Sequence, residues 1–160
     1  MTKDRMMPVA PVRIESPSGL SFEVNHDGSM RRMGFRDLVL NLFPGNTLEG
    51  GPANLWLRRH GAGGIEAVPL LGPKSPGALR VDASGLSVRG TWRDVRFVAA
   101  LVLAKDAPAW FWHVRLENAG NEKVRVDLVH AQDVALAAYA AIRMNEYYVS
   151  QYLDHQPLAH

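Results

Sequence analysis

The chain has 160 residues, enough for one domain with its own core, and 47% of them are hydrophobic, as in globular rather than disordered proteins. It contains no cysteine, which excludes a disulfide framework, cysteine-ligated zinc and a thiol nucleophile, and which fits a reducing compartment. The formal net charge is +2 and the basic residues are scattered, so the sequence predicts no nucleic-acid partner.

The apolar residues are not arranged as a membrane segment. The longest apolar run, 134–142, is too short to span a bilayer, and no secretory signal is visible at the N-terminus. We therefore expect a cytoplasmic protein without a membrane partner.

Glycine (14 residues) and proline (10 residues) punctuate the chain at short intervals and separate segments rich in Val, Leu, Phe and Trp. This rhythm predicts an all-β fold, an antiparallel β-sandwich with at most one or two short helices. Residues 1–19 contain three prolines and are predicted to be a loose lead-in to a domain that spans 20–160. In the first half of that domain, strands are predicted over 20–24, 30–35, 37–43, 54–59, 65–71, 78–81 and 86–89.

Two local patterns support these strands. Asp27-Gly28 supplies the positive φ that a tight hairpin needs between the first two of them. Along 54–59 the side chains alternate, with Leu55 and Leu57 on one face and Trp56 and Arg58 on the other.

The second half carries stronger patterns. Residues 97–104 are an unbroken apolar run, which predicts a strand buried on both faces. Residues 110–117 alternate, so that Trp110 and Trp112 are expected to face the core. We expect 92–104, 109–117 and 123–131 to form a three-strand meander, which would place His113 and His130 on neighbouring strands. A short helix is predicted within 134–144, and a strand over 147–153.

No catalytic motif is visible. The six histidines show no metal-binding spacing, so we expect structural histidines and no metal site. No acid can be assigned as catalytic from sequence alone. Trp56 and Trp92 have polar or charged neighbours, so either could stack on a sugar ring, although a core position is the more frequent role.

The segment 132–155 is unusually rich in side chains that hydrogen-bond to hydroxyl groups. It could form a sugar-facing surface or a polar rim at a sheet edge, and composition does not separate the two. The candidate substrate-binding residues are Gln132, Asp133, Asn145, Glu146, Tyr148, Gln151, Tyr152, Asp154 and His155.

The same segment carries a family resemblance. Gln132-Asp133-Val134-Ala135-Leu136-Ala137, followed by Asn145-Glu146-x-Tyr148-x-Ser150-Gln151-Tyr152-x-Asp154-His155, resembles glycoside hydrolase family 94. Within that family it is most similar to the 1,2-β-oligoglucan phosphorylases and to the phosphorylase-like domain of cyclic β-1,2-glucan synthases; the family also includes cellobiose phosphorylase. Earlier matching runs are Asn25-x-Asp27-Gly28-Ser29, Asn41-Leu42-Phe43 and Glu49-Gly50-Gly51-Pro52-Ala53-Asn54-Leu55.

The resemblance implies an N-terminal, supersandwich-like domain of a longer homodimeric enzyme whose chemistry lies in a C-terminal (α/α)6 barrel. In such enzymes one carboxylic acid protonates the glycosidic oxygen and inorganic phosphate, the co-substrate, attacks the anomeric carbon with inversion. It implies no other cofactor, and a β-gluco-oligosaccharide as the ligand of the intact enzyme. We expect this chain to be truncated at its C-terminus, to contain no catalytic residue and to be inactive alone. Two alternatives are a free-standing carbohydrate-binding module and a structural or assembly domain without a ligand.

Overall fold

The computed structural model describes residues 10–144, together with 151, 153, 154, 156 and 157. This part of the chain is antiparallel β-structure with one short helix, which confirms the predicted all-β sandwich. The elements in chain order are β1 (Val12–Glu15), β2 (Leu20–Val24), β3 (Met30–Phe35), β4 (Leu38–Val39), β5 (Asn54–Gly61), β6 (Gly64–Pro69), β7 (Gly77–Asp82), β8 (Gly85–Trp92), β9 (Val95–Leu103), β10 (Trp110–Asn118), β11 (Arg125–Ala131), β12 (Ala137–Ala138) and α1 (Tyr139–Met144).

The strands form three sheets. A five-stranded sheet has the order β1-β2-β3-β4-β12, a four-stranded sheet the order β10-β9-β8-β7, and a three-stranded sheet the order β11-β5-β6. Most neighbours are consecutive hairpins, which need only short turns. The exceptions are β11, which pairs with β5, and β12, which pairs with β4.

The β2–β3 turn forms as the sequence predicts. Gly28 has a φ of 86°, and its backbone N–H donates to the carbonyl of Asn25 at 2.8 Å. Asp27 Oδ1 accepts from the backbone N–H of Ser29 at 3.0 Å and from its hydroxyl at 2.7 Å. These bonds hold the turn in one conformation, so the register of the hairpin is fixed.

The core lies between the sheets and takes side chains from all three. Phe22 of the five-stranded sheet and Phe97 of the four-stranded sheet are each 1% exposed, and Leu57 of the three-stranded sheet is fully buried. Trp110 packs edge-on against Phe22, with ring centroids 5.6 Å apart. Trp110 and Trp112 pack against this core, as their alternation predicts.

The predicted burial of 97–104 on both faces is wrong. In β9 the buried residues alternate with Val98 and Val102, whose exposed fractions are 38% and 43%. An apolar run is buried on both faces only where a second layer covers the outer face, and no described part of this chain covers it. The outer face of β9 therefore exposes Val98 and Val102 beside the charged Arg96.

The predicted three-strand meander is also wrong. β9 and β10 pair along their whole length, but β11 leaves that sheet and pairs with β5. His113 and His130 consequently lie in different sheets. Alternation in β11 is compatible with either neighbour; the contacts that accompany its pairing with β5, such as Leu57 opposite Leu128, are non-local.

Three further differences are local. Residues 12–15, inside the predicted lead-in, form β1 and pair with β2. The strand predicted over 37–43 shrinks to β4, because the Asn41 side chain turns inward and its Oδ1 accepts the backbone N–H of Met33 at 2.7 Å. The predicted helix appears as α1 after the two-residue β12.

The strand predicted over 147–153 lies largely outside the described residues. No helix within the described residues is long and apolar enough to cross a membrane.

Candidate functional site

A cavity of about 290 Å³ opens between the five-stranded sheet and the start of β10. We call it the mouth cavity. Its lining is Leu20, Phe35, Leu38, Leu40, Pro108, Trp110, Gln132, Asp133, Val134 and Leu136. Apolar side chains therefore dominate it, and two of the predicted substrate-binding residues form its polar corner.

Those two residues are engaged with the backbone. Asp133 Oδ2 accepts the backbone N–H of Phe43 at 2.6 Å, and the Gln132 amide donates to the backbone carbonyl of Asp133 at 2.8 Å. The first bond ties the segment after β11 to the segment after β4. Gln132 and Asp133 thus shape one wall of the mouth cavity, and part of their hydrogen-bonding capacity is already used.

A second candidate lies on the outer face of the three-stranded sheet. Arg58 of β5 makes two parallel hydrogen bonds to Asp127 of β11, Nε to Oδ1 at 2.7 Å and an Nη to Oδ2 at 2.8 Å. His60 Nε2 lies 2.9 Å from the same Oδ2. The Arg58 and His60 hydrogen bonds lower the pKa of Asp127 from 3.8 to about 2, so its carboxylate is ionised at ordinary pH.

Trp56 lies on the same outer face, because β5 side chains two residues apart share a face. It is half-buried and stands opposite Val129 on β11 and Pro69 on β6. Trp92, the other tryptophan with a predicted alternative role, packs against the core.

A third candidate is a groove of about 230 Å³ between β3 and α1. Its lining includes Arg31, Arg32, Arg143 and Tyr139. The guanidinium carbons of Arg32 and Arg143 lie 5.4 Å and 5.7 Å from the Tyr139 ring centroid. Stacked guanidinium groups keep their N–H edges available to an anion, but the Glu23 carboxylate in the same lining competes for them.

Comparison with known proteins identifies the family. The sequence profile described as SOGP N-terminal domain matches residues 23–160. The chain belongs to the SOGP N-terminal domain family. It is 30% identical over 128 residues to a 1,2-beta-oligoglucan phosphorylase of Listeria innocua serovar 6a (strain ATCC BAA-680 / CLIP 11262). The match covers 80% of this chain and 11% of that relative, so the chain spans about a ninth of the relative's length.

Among the described residues of the predicted site, the structure of this SOGP N-terminal domain brings Gln132 and Asp133 together. Gln151 and Asp154 are described and exposed, and Asp154 Oδ2 accepts from the Gln156 amide at 3.3 Å. The other five predicted residues lie outside the described part of the chain: Asn145, Glu146, Tyr148, Tyr152 and His155.

Sequence reasoning missed the cluster of Arg58, His60 and Asp127. The alternation of β5 correctly placed Trp56 and Arg58 on one face. The contact of Arg58 with Asp127 was missed because β11 was assigned to the wrong sheet. Partial burial beside Trp110 and Trp112 lowers the pKa of His130, although its side chain still reaches solvent. No group of three or more His, Asp or Glu side chains suited to a metal ion occurs among the described residues.

Proposed function

We propose that this chain is the N-terminal β-sandwich domain of a glycoside hydrolase family 94 phosphorylase that acts on β-linked gluco-oligosaccharides. The observation that carries the proposal is the 30% identity, over 80% of the chain, to a protein named 1,2-beta-oligoglucan phosphorylase. In the proposed cytoplasmic enzyme, inorganic phosphate is the co-substrate. The domain supports a C-terminal (α/α)6 barrel, a homodimer and the substrate cleft.

The reaction proposed for the whole enzyme is phosphorolysis. A phosphate oxygen bonds to the anomeric carbon as the glycosidic C–O bond breaks, the leaving oxygen takes a proton from a carboxylic acid, and glucose 1-phosphate is released. A general acid must be protonated near the working pH. The pKa of Asp127 is about 2, so this carboxyl is unsuited to the role. The catalytic acid of the proposed enzyme is expected outside this chain, in the barrel.

The first experiment compares this chain with a longer polypeptide of the same protein. Each is incubated with inorganic phosphate and β-1,2- or β-1,4-linked gluco-oligosaccharides, and glucose 1-phosphate is measured. We expect glucose 1-phosphate only in the reaction that contains the longer polypeptide. Product from this chain alone, or none from a longer polypeptide that includes a folded barrel, would contradict the proposal.

The predicted substrate-binding segment has its own test in that longer polypeptide. The combined variant Gln151→Ala, Tyr152→Ala and His155→Ala removes three side chains that can hydrogen-bond to sugar hydroxyl groups. We expect a raised KM for the oligosaccharide, with the KM for phosphate unchanged. An unchanged oligosaccharide KM and turnover would show that the segment lies away from the cleft.

A further inference from the structure

The outer face of the three-stranded sheet carries apolar and polar side chains in rows across the strands. Trp56 stands between Val129 and Pro69 across the strands, and Arg58 stands between Asp127 and Ala67 in the next row of this face. Rows on one face of a strand are about 7 Å apart. We call Trp56, Arg58, His60, Ala67, Asp127 and Val129 the triad face, after its three charged or titratable residues.

The polar groups of the triad face are held in place by hydrogen bonds, and they keep hydrogen-bonding capacity for a ligand. His60 Nε2 is hydrogen-bonded to Asp127 Oδ2, which leaves the other ring nitrogen of His60, Nδ1, for a further partner. Arg58 uses its Nε and one Nη towards Asp127 and keeps its remaining N–H donors. The side chains of Arg58 and Asp127 are 37% and 40% exposed, so these groups are accessible from solvent.

These features match the chemistry of a glucan chain. The apolar C–H face of a pyranose packs on an aromatic ring, and its hydroxyl groups both donate and accept hydrogen bonds. Because the Arg58, His60 and Asp127 side chains are already ordered, binding would cost little side-chain entropy. A dry protein surface is a poorer match, since it would desolvate the ion pair without replacing the lost water contacts.

We propose that the triad face binds a β-linked gluco-oligosaccharide, with Trp56 stacking on one ring and Asp127, Arg58 and His60 hydrogen-bonding to the hydroxyl groups of the next. The substrate class rests on the proposed function. The site is a surface separate from the mouth cavity and contributes binding rather than chemistry. It holds a long substrate on the N-terminal domain.

The test is a titration of this 160-residue chain with β-1,2-linked gluco-oligosaccharides, with β-1,4-linked ones in parallel, followed by calorimetry and by amide NMR shifts. We expect binding with shifts centred on β5 and β11. Trp56→Ala should weaken it at least about ten-fold, which corresponds to about 1.4 kcal/mol, and Trp56→Phe should restore part of the loss. Asp127→Asn keeps the Trp56 indole and tests the hydrogen-bonding groups of Asp127, Arg58 and His60.

The matched control is Phe111→Ala, which removes an aromatic side chain that is 55% exposed on the four-stranded sheet. Its affinity should equal that of the unchanged protein. The inference is overturned if the unchanged chain shows no binding, or if folded Trp56→Ala and Asp127→Asn variants both bind normally. Binding here without phosphorolysis by a longer polypeptide would instead refute only the proposed enzyme, and phosphorolysis without binding here would refute only this site.

Discussion

At the scale of single residues, two glycines decide how closely β7 and β8 approach the core. Gly77 and Gly90 are cross-strand partners. A Cβ at Gly77 would lie 2.5 Å from Val88 Cγ2, and a Cβ at Gly90 would lie 2.9 Å from Phe97 Cζ and 2.8 Å from the Cα of Gly77. The sequence predicts that the β8 strand ends at Arg89, whereas it continues through Gly90 to Trp92. Gly90 therefore does not end β8. It leaves space beside the strand for the Phe97 ring.

Gly77→Ala should destabilise the protein by about 1–3 kcal/mol, because overpacking forces neighbouring atoms to move. The backbone carbonyl of Arg89 would lie 3.1 Å from the new Cβ, and a backbone atom cannot easily move away. Gly63→Ala is the matched control, since no atom lies within 4 Å of its added Cβ. Urea unfolding of the two variants measures the difference, and equal midpoints would contradict the expected clash.

At the scale of elements, the strands were predictable and some of their partners were not. Alternation located β5 and β10, an unbroken apolar run located β9, and Asp27-Gly28 located the first hairpin, because these signals are local. The pairing of β5 with β11 depends on contacts such as Arg58 with Asp127 that are about 70 positions apart. The candidate site on the outer face of this pair could not be assembled without that register. Among the described residues, the same sheet order leaves one edge of β10 without a neighbouring strand.

The β10 edge should be visible in amide exchange. Backbone bonds from Ala104 to Ala109 (2.9 Å) and from Ala119 to Asp94 (2.7 Å) fix the hydrogen-bonding phase of the β9–β10 pair. The amides of Phe111, His113 and Arg115 then face β9 and should exchange slowly with solvent. Those of Trp112, Val114 and Leu116 face away from β9 and should exchange faster, as measured by NMR in D₂O. Slow exchange at all six positions in dilute protein would mean that the edge is covered.

At the scale of the whole molecule, the outer face of the four-stranded sheet exposes apolar side chains at the Phe111 end of β10, next to that edge, among polar ones such as His113 and Arg115. Val98, Val102 and Phe111 are exposed by 38%, 43% and 55%, and the register places Val102 opposite Phe111. An uncovered edge strand beside exposed apolar side chains favours association with another chain. The homodimer expected from the family resemblance stays a prediction.

We therefore expect concentration-dependent association of this chain in sedimentation velocity, weakened by Phe111→Lys. The control is Ile65→Lys, which places a charge on an equally exposed apolar position of β6, where Ile65 is 58% exposed. It should leave the association unchanged. A chain that stays monomeric at all concentrations, or one that responds equally to both variants, would show that this face is not the one that associates.

The pairing of β5 with β11 also has a consequence for the order of folding during synthesis. The hairpin of β5 and β6 and the whole β7–β10 sheet leave the ribosome before β11, and their contacts are short-range, so they can form early. β11 must then close a loop that contains the complete four-stranded sheet. The carboxylate of Asp127 reaches Arg58 only at this late step, so a newly made chain acquires the polar row of the triad face when its three-stranded sheet closes.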